Sequence, residues 1–465
     1  MTNMKKKLLC AFLSIILTVT LSSCTFAGGL IGYYALFADR YIEEQQEINS
    51  EYPTESATSQ ENPAEKENVE PLPVFEDGYD FNNISNRYQY KQPRYGYESL
   101  AEGREQKLYE YIGYSAYHIG ANKGESGSYP IALIKDDTSV NEVQFMKVIT
   151  AFQNDNPHVF WLTNDFEWYD MGSIRYFQMY SNISAEKCKE MQKEFYTAVK
   201  KIITAIPAGA SEYKRELFLH DYIIKNCLYA DEDMWQRYSP YGALIQHKAV
   251  CEGYSEAFQL LLNCAGIEST VVVGKSDGNA HQWNIVKIEG SWYNLDITWN
   301  DSDEEKDDEL DLYFYFNVDE EFMLKNDHVF SPLYKDMTQE QIANNGGEYM
   351  ELFNLYLPEC NSMDANFYYR NAVTVTEPYK LENKVLDKLI GSIQTKAPYF
   401  YMRSQNDNPD KFFMKLFDDD TYYQYVDAAN ESGKTNGNQV WNNRVRTFTL
   451  DGYDDLMIAQ LDYIP

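Results

Sequence analysis

The sequence predicts an α+β fold in which a helix that begins at Cys251 packs on an antiparallel sheet carrying His281 and Asp296. Two observations lead to this prediction. Apolar residues recur at helical spacing from Val250 to Ala265, and three β-prone segments follow in the order IESTVVVG, HQWNIVKI and SWYNLDITW. We expect a mixed α/β region before this core and a small α+β appendage after it.

Periodic apolar residues predict a helix from Leu100 to Ala121 in the first of these regions. In the appendage, the sequence predicts a helix near 381–394 and a short aromatic strand at 399–403.

The chain of 465 residues is long enough for more than one domain. Composition divides it into a leader at 1–24, an acidic tether at 25–76, a mixed α/β region at 77–207, the core at 208–335 and the appendage at 336–465. The tether is rich in Glu, Ser, Pro, Gln and Asn and has few large apolar side chains. It cannot bury enough surface to offset the entropy of ordering, so we expect it to be disordered.

The leader has the layout of a bacterial secretory signal, since three lysines at 5–7 precede an uncharged run at 8–20. The following LSSC resembles a lipobox, which predicts cleavage before Cys24 and lipidation of its thiol. Alternatively, the uncharged stretch 8–38 spans a bilayer uncleaved. The glycines at 28 and 29 weaken such a span and favour the lipid anchor. Both interpretations place the folded part outside the cytoplasm.

Charge and cysteine content exclude several classes of protein. The 72 acidic and 40 basic residues give a net charge of -32, which would repel a phosphate backbone and excludes nucleic acid as a partner. Five of the seven cysteines lie beyond the leader, an odd number, and their scattered spacing predicts neither a disulfide framework nor a zinc site. The sequence therefore predicts no cofactor and no metal.

An amphipathic helix is predicted before the core, from Ser211 to Ala230. His220 falls within its apolar face. A histidine in that position is more often a core residue with satisfied hydrogen bonds than a ligand or a base. We interpret His220 as part of the core.

Cys251 is predicted to open the helix of the core, and Gly266 suits the left-handed cap at its end. A helix amino terminus lowers the pKa of a thiol because backbone N–H groups and the positive end of the dipole point at the sulfur. The same N–H groups would stabilise the oxyanion that forms when sulfur attacks an acyl carbon. Cys251 is therefore the candidate nucleophile.

The two strands after this helix predict a base and an orienting acid. If Glu289 and Gly290 form a tight turn, Trp283 faces Asp296 across the hairpin. His281 then lies on the same face as Asp296 and diagonal to it, roughly 7–8 Å away between Cα atoms. The Asp296 carboxylate would fix the tautomer of His281 and stabilise its imidazolium form.

Three stretches of sequence resemble the bacterial transglutaminase-like superfamily: AVCEGYSEAFQLLLNCAGIES, HQWNIVKIEGSWYNLDITWND and YFNVDEEFMLKNDHVF. The upstream LHDYIIKNCLYAD looks like the helix that precedes the core in these proteins. The resemblance covers about 211–330 and implies a papain-like arrangement with Cys251, His281 and Asp296 in the catalytic roles. His328 also matches, but we interpret it as structural and leave it outside the predicted site. Trp283 and Trp292 are interpreted as packing residues.

The acidic run 301–311 raises the question of calcium, because some animal transglutaminases depend on it. Lys306 stands where an EF-hand loop has its glycine. A solvated loop is the favoured interpretation.

The resulting functional hypothesis is acyl transfer through a Cys251 thioester on protein or peptide amides of the cell envelope. Crosslinking, deamidation and proteolysis all remain open, because the walls of the cleft decide which amide enters. The alternative is a surface-anchored binding or scaffold protein that keeps the fold and has lost the activity.

Overall fold

A computed structural model describes residues 79–91, 94–124, 127–136, 140–171, 174–230, 232, 234–301, 310–338 and 353–465. The predicted leader with Cys24, the tether and most of the acidic run lie outside the described residues. Within the described ranges, the helices are all too short or too polar to cross a bilayer.

The helices of the described residues are α1 Tyr95–Glu98, α2 Glu105–Ser115, α3 Glu142–Asp155, α4 Ala185–Ala205, α5 Glu212–Asn226, α6 Cys251–Cys264, α7 Ile297–Asn300, α8 Glu320–Lys325, α9 Phe367–Asn371, α10 Asn383–Gln394, α11 Pro409–Asp418 and α12 Thr421–Glu431. The strands are β1 Tyr129–Pro130, β2 Ile134–Asp136, β3 Leu162–Met171, β4 Ile174–Ser181, β5 Leu228–Tyr229, β6 Lys248–Ala249, β7 Ser269–Ser276, β8 Asn279–Ile288, β9 Ser291–Leu295, β10 His328–Phe330, β11 Val373–Val375, β12 Tyr399–Ser404, β13 Thr447–Phe448 and β14 Leu456–Gln460. This content confirms the predicted α+β class.

The chain divides into two compact units. The first contains residues up to Ala208 together with Lys225–Thr270 and Ser331–Leu357. The second contains Gly209–Ile224, Val271–Phe330 and Pro358–Pro465. Each unit draws on separated stretches of the chain.

The first unit contains a sheet in which β4 pairs with β1, β2 and β3. Helix α3 begins with a capping box, in which the Asn141 side chain accepts from the Gln144 N–H and the Gln144 side chain accepts from the Asn141 N–H. Phe145 on this helix stacks on Phe177 of β4, with ring centroids 3.6 Å apart. Helix and sheet therefore share one apolar core.

Helix α6 also belongs to the first unit, and it begins at the predicted residue. All of its residues are buried except Glu252 and Glu256, which are partly exposed. A helix that is buried on nearly every side lies in the interior of a domain. Gly266 ends it with a φ of 76°, the left-handed conformation that the sequence predicts.

The second unit contains two four-stranded sheets. One has the strand order β10-β7-β8-β9 and carries His281 and His328. The other has the order β11-β12-β14-β13, with α10, α11 and α12 packed in a shared apolar core. Helix α10 and strand β12 match the helix and the strand predicted near 381–394 and 399–403.

The hairpin of β8 and β9 has the predicted register. The paired residues run from Ile288 opposite Ser291 to Asn284 opposite Leu295. Glu289 and Gly290 both have positive φ, 52° and 93°, as a type I′ turn requires. The turn therefore has two residues, as predicted, and the strand register that places His281 on the same face as Asp296 is confirmed.

Three predicted boundaries are wrong. The helix expected from Ser211 to Ala230 ends at Asn226, because the chain leaves it to pair with β6 through a hydrogen bond from the Leu228 N–H to the His247 carbonyl. Leu228, just beyond the end of the helix, is 57% exposed. The helix expected from Leu100 to Ala121 is confined to α2. The strand expected over SWYNLDITW ends at Leu295, where α7 follows.

The turn at Gly290 provides a test of how firmly the hairpin is fixed. An alanine at a φ of 93° is strained, so Gly290→Ala is expected to lower the free energy of unfolding by about 1–2 kcal/mol. Urea denaturation measures this difference. Gly391→Ala is the matched control: the added Cβ meets open space within α10, and we expect unchanged or higher stability. Equal effects of the two substitutions would contradict the assigned role of the turn.

Candidate active site

Cys251 is the first residue of α6, and its side chain is buried, with 8% exposure. Val250 precedes it in an extended conformation and provides no side-chain cap. The first N–H groups of a helix have no acceptor within the helix. Since Val250 does not cap them, these donors remain at the end of the helix where Cys251 stands, and such donors suit an anionic sulfur or oxyanion.

Gly253 fixes the first turn of α6 against the chain before it. A Cβ at this position would lie 2.5 Å from the Arg237 carbonyl oxygen and 2.9 Å from that of Ser239. The Val250 N–H donates to the same Arg237 carbonyl, at 3.0 Å. Only glycine permits this close approach of backbone, which holds the start of the helix in place.

The structure brings His281 and Asp296 together as predicted. The Nε2 atom of His281, on β8, lies 2.5 Å from Oδ2 of Asp296, one residue beyond β9. An ionised carboxylate only accepts hydrogen bonds, so Nε2 donates the proton. In a neutral ring, Nδ1 is then the basic nitrogen, the atom that would receive a proton from a thiol.

Asp296 ends β9 and caps α7. Its Oδ1 accepts from the N–H groups of Thr298 and Trp299, both at 3.0 Å, which explains why the chain turns into a helix here. Burial alone would raise the pKa of this carboxyl, but its contacts with His281 and His328 hold the pKa well below its usual range. Asp296 is therefore a buried carboxylate ion.

His328, which the sequence interpretation left outside the predicted site, contacts Asp296. Its Nε2 lies 2.9 Å from the same Oδ2 of Asp296, and its side chain is fully buried. The position comes from antiparallel pairing of β10 with β7, which places His328 opposite Ser276. No local periodicity predicts a pairing between strands so far apart in sequence, and the resemblance to the family was the one available signal.

His281, Asp296 and His328 also present ligand atoms within 4.8 Å of one another, which is compact enough to raise the question of a metal. Zinc holds nitrogen and oxygen ligands at about 2.0–2.2 Å, which spreads tetrahedral ligands to roughly 3.3 Å apart. The 2.5 Å between His281 Nε2 and Asp296 Oδ2 is shorter than this. Both imidazoles moreover point at one oxygen, the geometry of a hydrogen-bonded cluster.

His220 and Trp283 pack in the core as predicted. The fully buried His220 has its Nε2 3.1 Å from Nδ2 of Asn300. Trp283 is also fully buried, and its Nε1 donates to Oδ1 of Asn294 at 3.1 Å. Both side chains stabilise the region around Asp296 without contacting the carboxylate through a hydrogen bond.

Within the described part of the chain, the five cysteines form no disulfide, and all are buried. Burial raises the pKa of Cys188 and Cys360 to about 12 and raises that of Cys264 further. Thiols of this kind are poor nucleophiles. Cys251 differs from these three in lying at the start of a helix.

Cys251 belongs to the first unit, whereas His281, Asp296 and His328 belong to the second. The approach of the Cys251 sulfur to His281 stays a prediction.

Comparison with known proteins gives one family. Residues 200–297 match the model of the transglutaminase-like superfamily, a span that includes α5, α6 and the β8–β9 hairpin. The chain therefore contains a transglutaminase-like core, which confirms the resemblance seen in the sequence. The match includes Cys251, His281 and Asp296 but ends before His328.

Kyphoscoliosis peptidases of Mus musculus and Homo sapiens are each 32% identical to this chain over 82 residues, 15% of this chain and 12% of theirs. The chain thus matches about an eighth of the length of these curated relatives. A solved structure of a TGase is 16% identical, with a TM-score of 0.20, over 41% of this chain and 56% of that one.

The depressed pKa of Asp296 predicts how stability depends on pH. The stabilisation is fully present above the unfolded value, about 3.9, and is lost as pH falls toward the lower folded value. Asp296→Asn should therefore lower the free energy of unfolding by about 3 kcal/mol at pH 7, with a smaller loss at pH 3. Urea denaturation at both pH values measures this.

The exposed Asp407 provides the control, since Asp407→Asn should change stability by less than about 0.5 kcal/mol at either pH. A loss for Asp296→Asn that is the same at pH 7 and pH 3 would contradict the assigned charge.

Proposed function

We propose that this chain is a thiol acyl-transfer enzyme that acts on protein or peptide amides, with Cys251 as nucleophile, His281 as general base and Asp296 as positioning residue. The observation that carries the proposal is the contact of His281 Nε2 with the buried Asp296 carboxylate, which leaves Nδ1 as the basic nitrogen. The transglutaminase-like core at 200–297 supports it.

In the first half-reaction, Nδ1 of His281 takes the proton of the Cys251 thiol, and the sulfur attacks the amide carbon. The N–H groups in the first turn of α6 stabilise the oxyanion. The imidazolium then gives its proton to the departing nitrogen, and a thioester remains on Cys251. Asp296 stays ionised throughout and stabilises the imidazolium.

The second half-reaction determines the class of enzyme. If the amide belongs to a glutamine side chain, the first product is ammonia. A lysine amine that attacks the thioester then forms a crosslink, whereas water forms glutamate. If the amide belongs to the main chain, the first product is a new amino terminus, and water completes proteolysis. His281 accepts a proton from either attacking group.

A catalytically silent binding protein is the alternative. A buried carboxylate with paired imidazoles costs desolvation free energy, and apolar replacements of such groups are often neutral or stabilising. The presence of this Asp296 cluster, with hydrogen bonds to both carboxylate oxygens, therefore favours an active enzyme.

We further propose that the enzyme acts outside the cytoplasm, held at the membrane by a lipidated Cys24. The support is the sequence alone: three lysines at 5–7, the uncharged run at 8–20 and the LSSC motif. An uncleaved span over 8–38 remains the alternative anchor.

The anchor is tested by expressing wild type and Cys24→Ala in a bacterium fed with labelled fatty acid. Lipidation predicts label in the wild type alone and a smaller wild-type protein after signal cleavage. Full-length protein without label in either variant would instead select the membrane span.

The activity is tested by incubating the full chain with a cell-envelope extract and a labelled primary amine. Cys251→Ala should lower product formation by on the order of 10⁴-fold or more, because the thioester cannot form. Incorporated amine identifies a transglutaminase, new amino termini identify a peptidase, and glutamate formed from glutamine identifies a deamidase.

Cys264→Ala is the matched control, since Cys264 lies at the other end of α6 and should retain activity. Iodoacetamide labelling at neutral pH gives an independent measurement. If Cys251 reacts no faster than Cys264 and no product forms, the silent binding protein is correct.

A further inference from the structure

Two histidines share one oxygen of Asp296. Oδ2 lies 2.5 Å from Nε2 of His281 and 2.9 Å from Nε2 of His328. Oδ1 accepts the N–H groups of Thr298 and Trp299. A carboxylate has about four lone-pair sites, so all of them are used by donors when Asp296 is ionised.

The other nitrogen of His328 determines the charge of this ring. Nδ1 lies 2.8 Å from the carbonyl oxygen of Asn326. A carbonyl oxygen only accepts hydrogen bonds, and so does the carboxylate of Asp296. Both ring nitrogens of His328 must therefore donate, which only the doubly protonated imidazolium can do.

His220 is a comparison within the same unit. It is as fully buried as His328, but its Nε2 faces the amide nitrogen of Asn300 at 3.1 Å, whereas Oδ1 of Asn300 accepts from the Tyr315 N–H. Nε2 therefore accepts, and Nδ1 can donate to Asp221 at 3.3 Å. A neutral ring satisfies these contacts, so burial alone does not distinguish the two histidines.

We propose that His328 is a positioning residue that holds a positive charge against Asp296, so that His281 rests neutral and acts as a base. This inference rests on the proposed role of His281. With Asp296 already balanced by His328, the imidazolium of His281 is less stabilised than it would be beside an uncompensated carboxylate. It therefore returns its proton to the leaving nitrogen more readily.

Aromatic rings surround the proposed cation. The ring centroids of Tyr315, Trp283 and Trp299 lie 4.9, 5.4 and 6.4 Å from that of His328. Aromatic rings attract cations within about 6 Å, a range that Tyr315 and Trp283 satisfy, and this attraction helps to offset the loss of hydration. A neutral imidazole would gain less from these neighbours.

Few ionisable groups face His328. His281, Asp296 and Tyr315 contact it or lie against it, and burial together with Asp296 raises the pKa of Tyr315, which keeps that phenol neutral. The charged side chains of β7 and α8 and the neighbouring Asp327 are exposed, whereas Lys287 of β8 is partly buried; the exposed ones are Lys275, Glu320, Glu321, Lys325 and Asp327. The charge of the cluster is therefore set by Asp296 and the two histidines.

The expected effect on His281 follows from Coulomb's law. The two imidazole centroids are 5.7 Å apart. At an effective dielectric constant of about 20, unit charges at this distance shift a pKa by roughly 2 units. Removal of the His328 charge should therefore raise the pKa of His281 by about one to two units.

Nitrogen NMR of the full chain labelled with ¹⁵N-histidine tests the charge directly, and the chain has only six histidines. At pH 8, we expect both ring nitrogens of His328 to be protonated, whereas His220 shows one protonated and one bare nitrogen. A bare nitrogen on His328 at this pH would overturn the proposal. This measurement requires no enzymatic activity, so its result is separate from the test of the proposed function.

His328→Gln tests the effect on His281, because a glutamine amide can still donate to Asp296 but has no charge. The titration midpoint of His281 in the same spectra should rise by about one to two pH units, and the pH profile of kcat/KM should move in the same direction. His220→Gln is the matched buried control and should leave the midpoint unchanged.

A merely structural His328 would give a lower activity with an unshifted midpoint and profile, which would overturn the proposal. If His328→Gln does not fold, the protonation of His328 in the wild type decides.

Discussion

The organisation of the candidate site depends on one buried carboxylate. Asp296 accepts two backbone N–H groups from the first turn of α7 and two imidazoles from β8 and β10. A buried ion without such partners would be strongly destabilising, so each donor must occupy its place in the native state. The end of β9, the start of α7 and the positions of His281 and His328 are thereby fixed by a single group.

The contacts of Asp296 divide into local and distant ones. The hairpin turn at Glu289 and Gly290 sets a register that brings His281 to the carboxylate over a short stretch of chain. Thr298 and Trp299 follow Asp296 directly, so the cap is also local. His328 arrives through the pairing of β10 with β7, which is the only one of these contacts that requires a distant strand pairing. Its position depends on completion of the sheet.

The candidate nucleophile, Cys251, is positioned by a separate set of interactions in the first unit. Helix α6 is buried along nearly its whole length, and the backbone at 237–239 approaches Gly253 too closely for any side chain. Val250 leaves the first N–H groups of the helix without a side-chain cap. Packing thus fixes the helix. Its first N–H groups receive no hydrogen bond from the Val250 side chain, so they suit the oxyanion of the proposed reaction.

Sequence by itself determined the features that local periodicity and turn chemistry specify. These are the start of α6 at Cys251, its cap at Gly266, and the hairpin parity that pairs His281 with Asp296. The predicted final strand gives way to α7 because the Asp296 side chain caps that helix, and α5 ends early because the chain pairs with β6. The helix and strand propensities of individual residues predict neither contact. His328 lay outside the predicted site because the strand that positions it is distant in sequence. Only the tertiary structure brought two imidazoles to one oxygen, since hydrogen bonds between distant segments leave no period in the sequence.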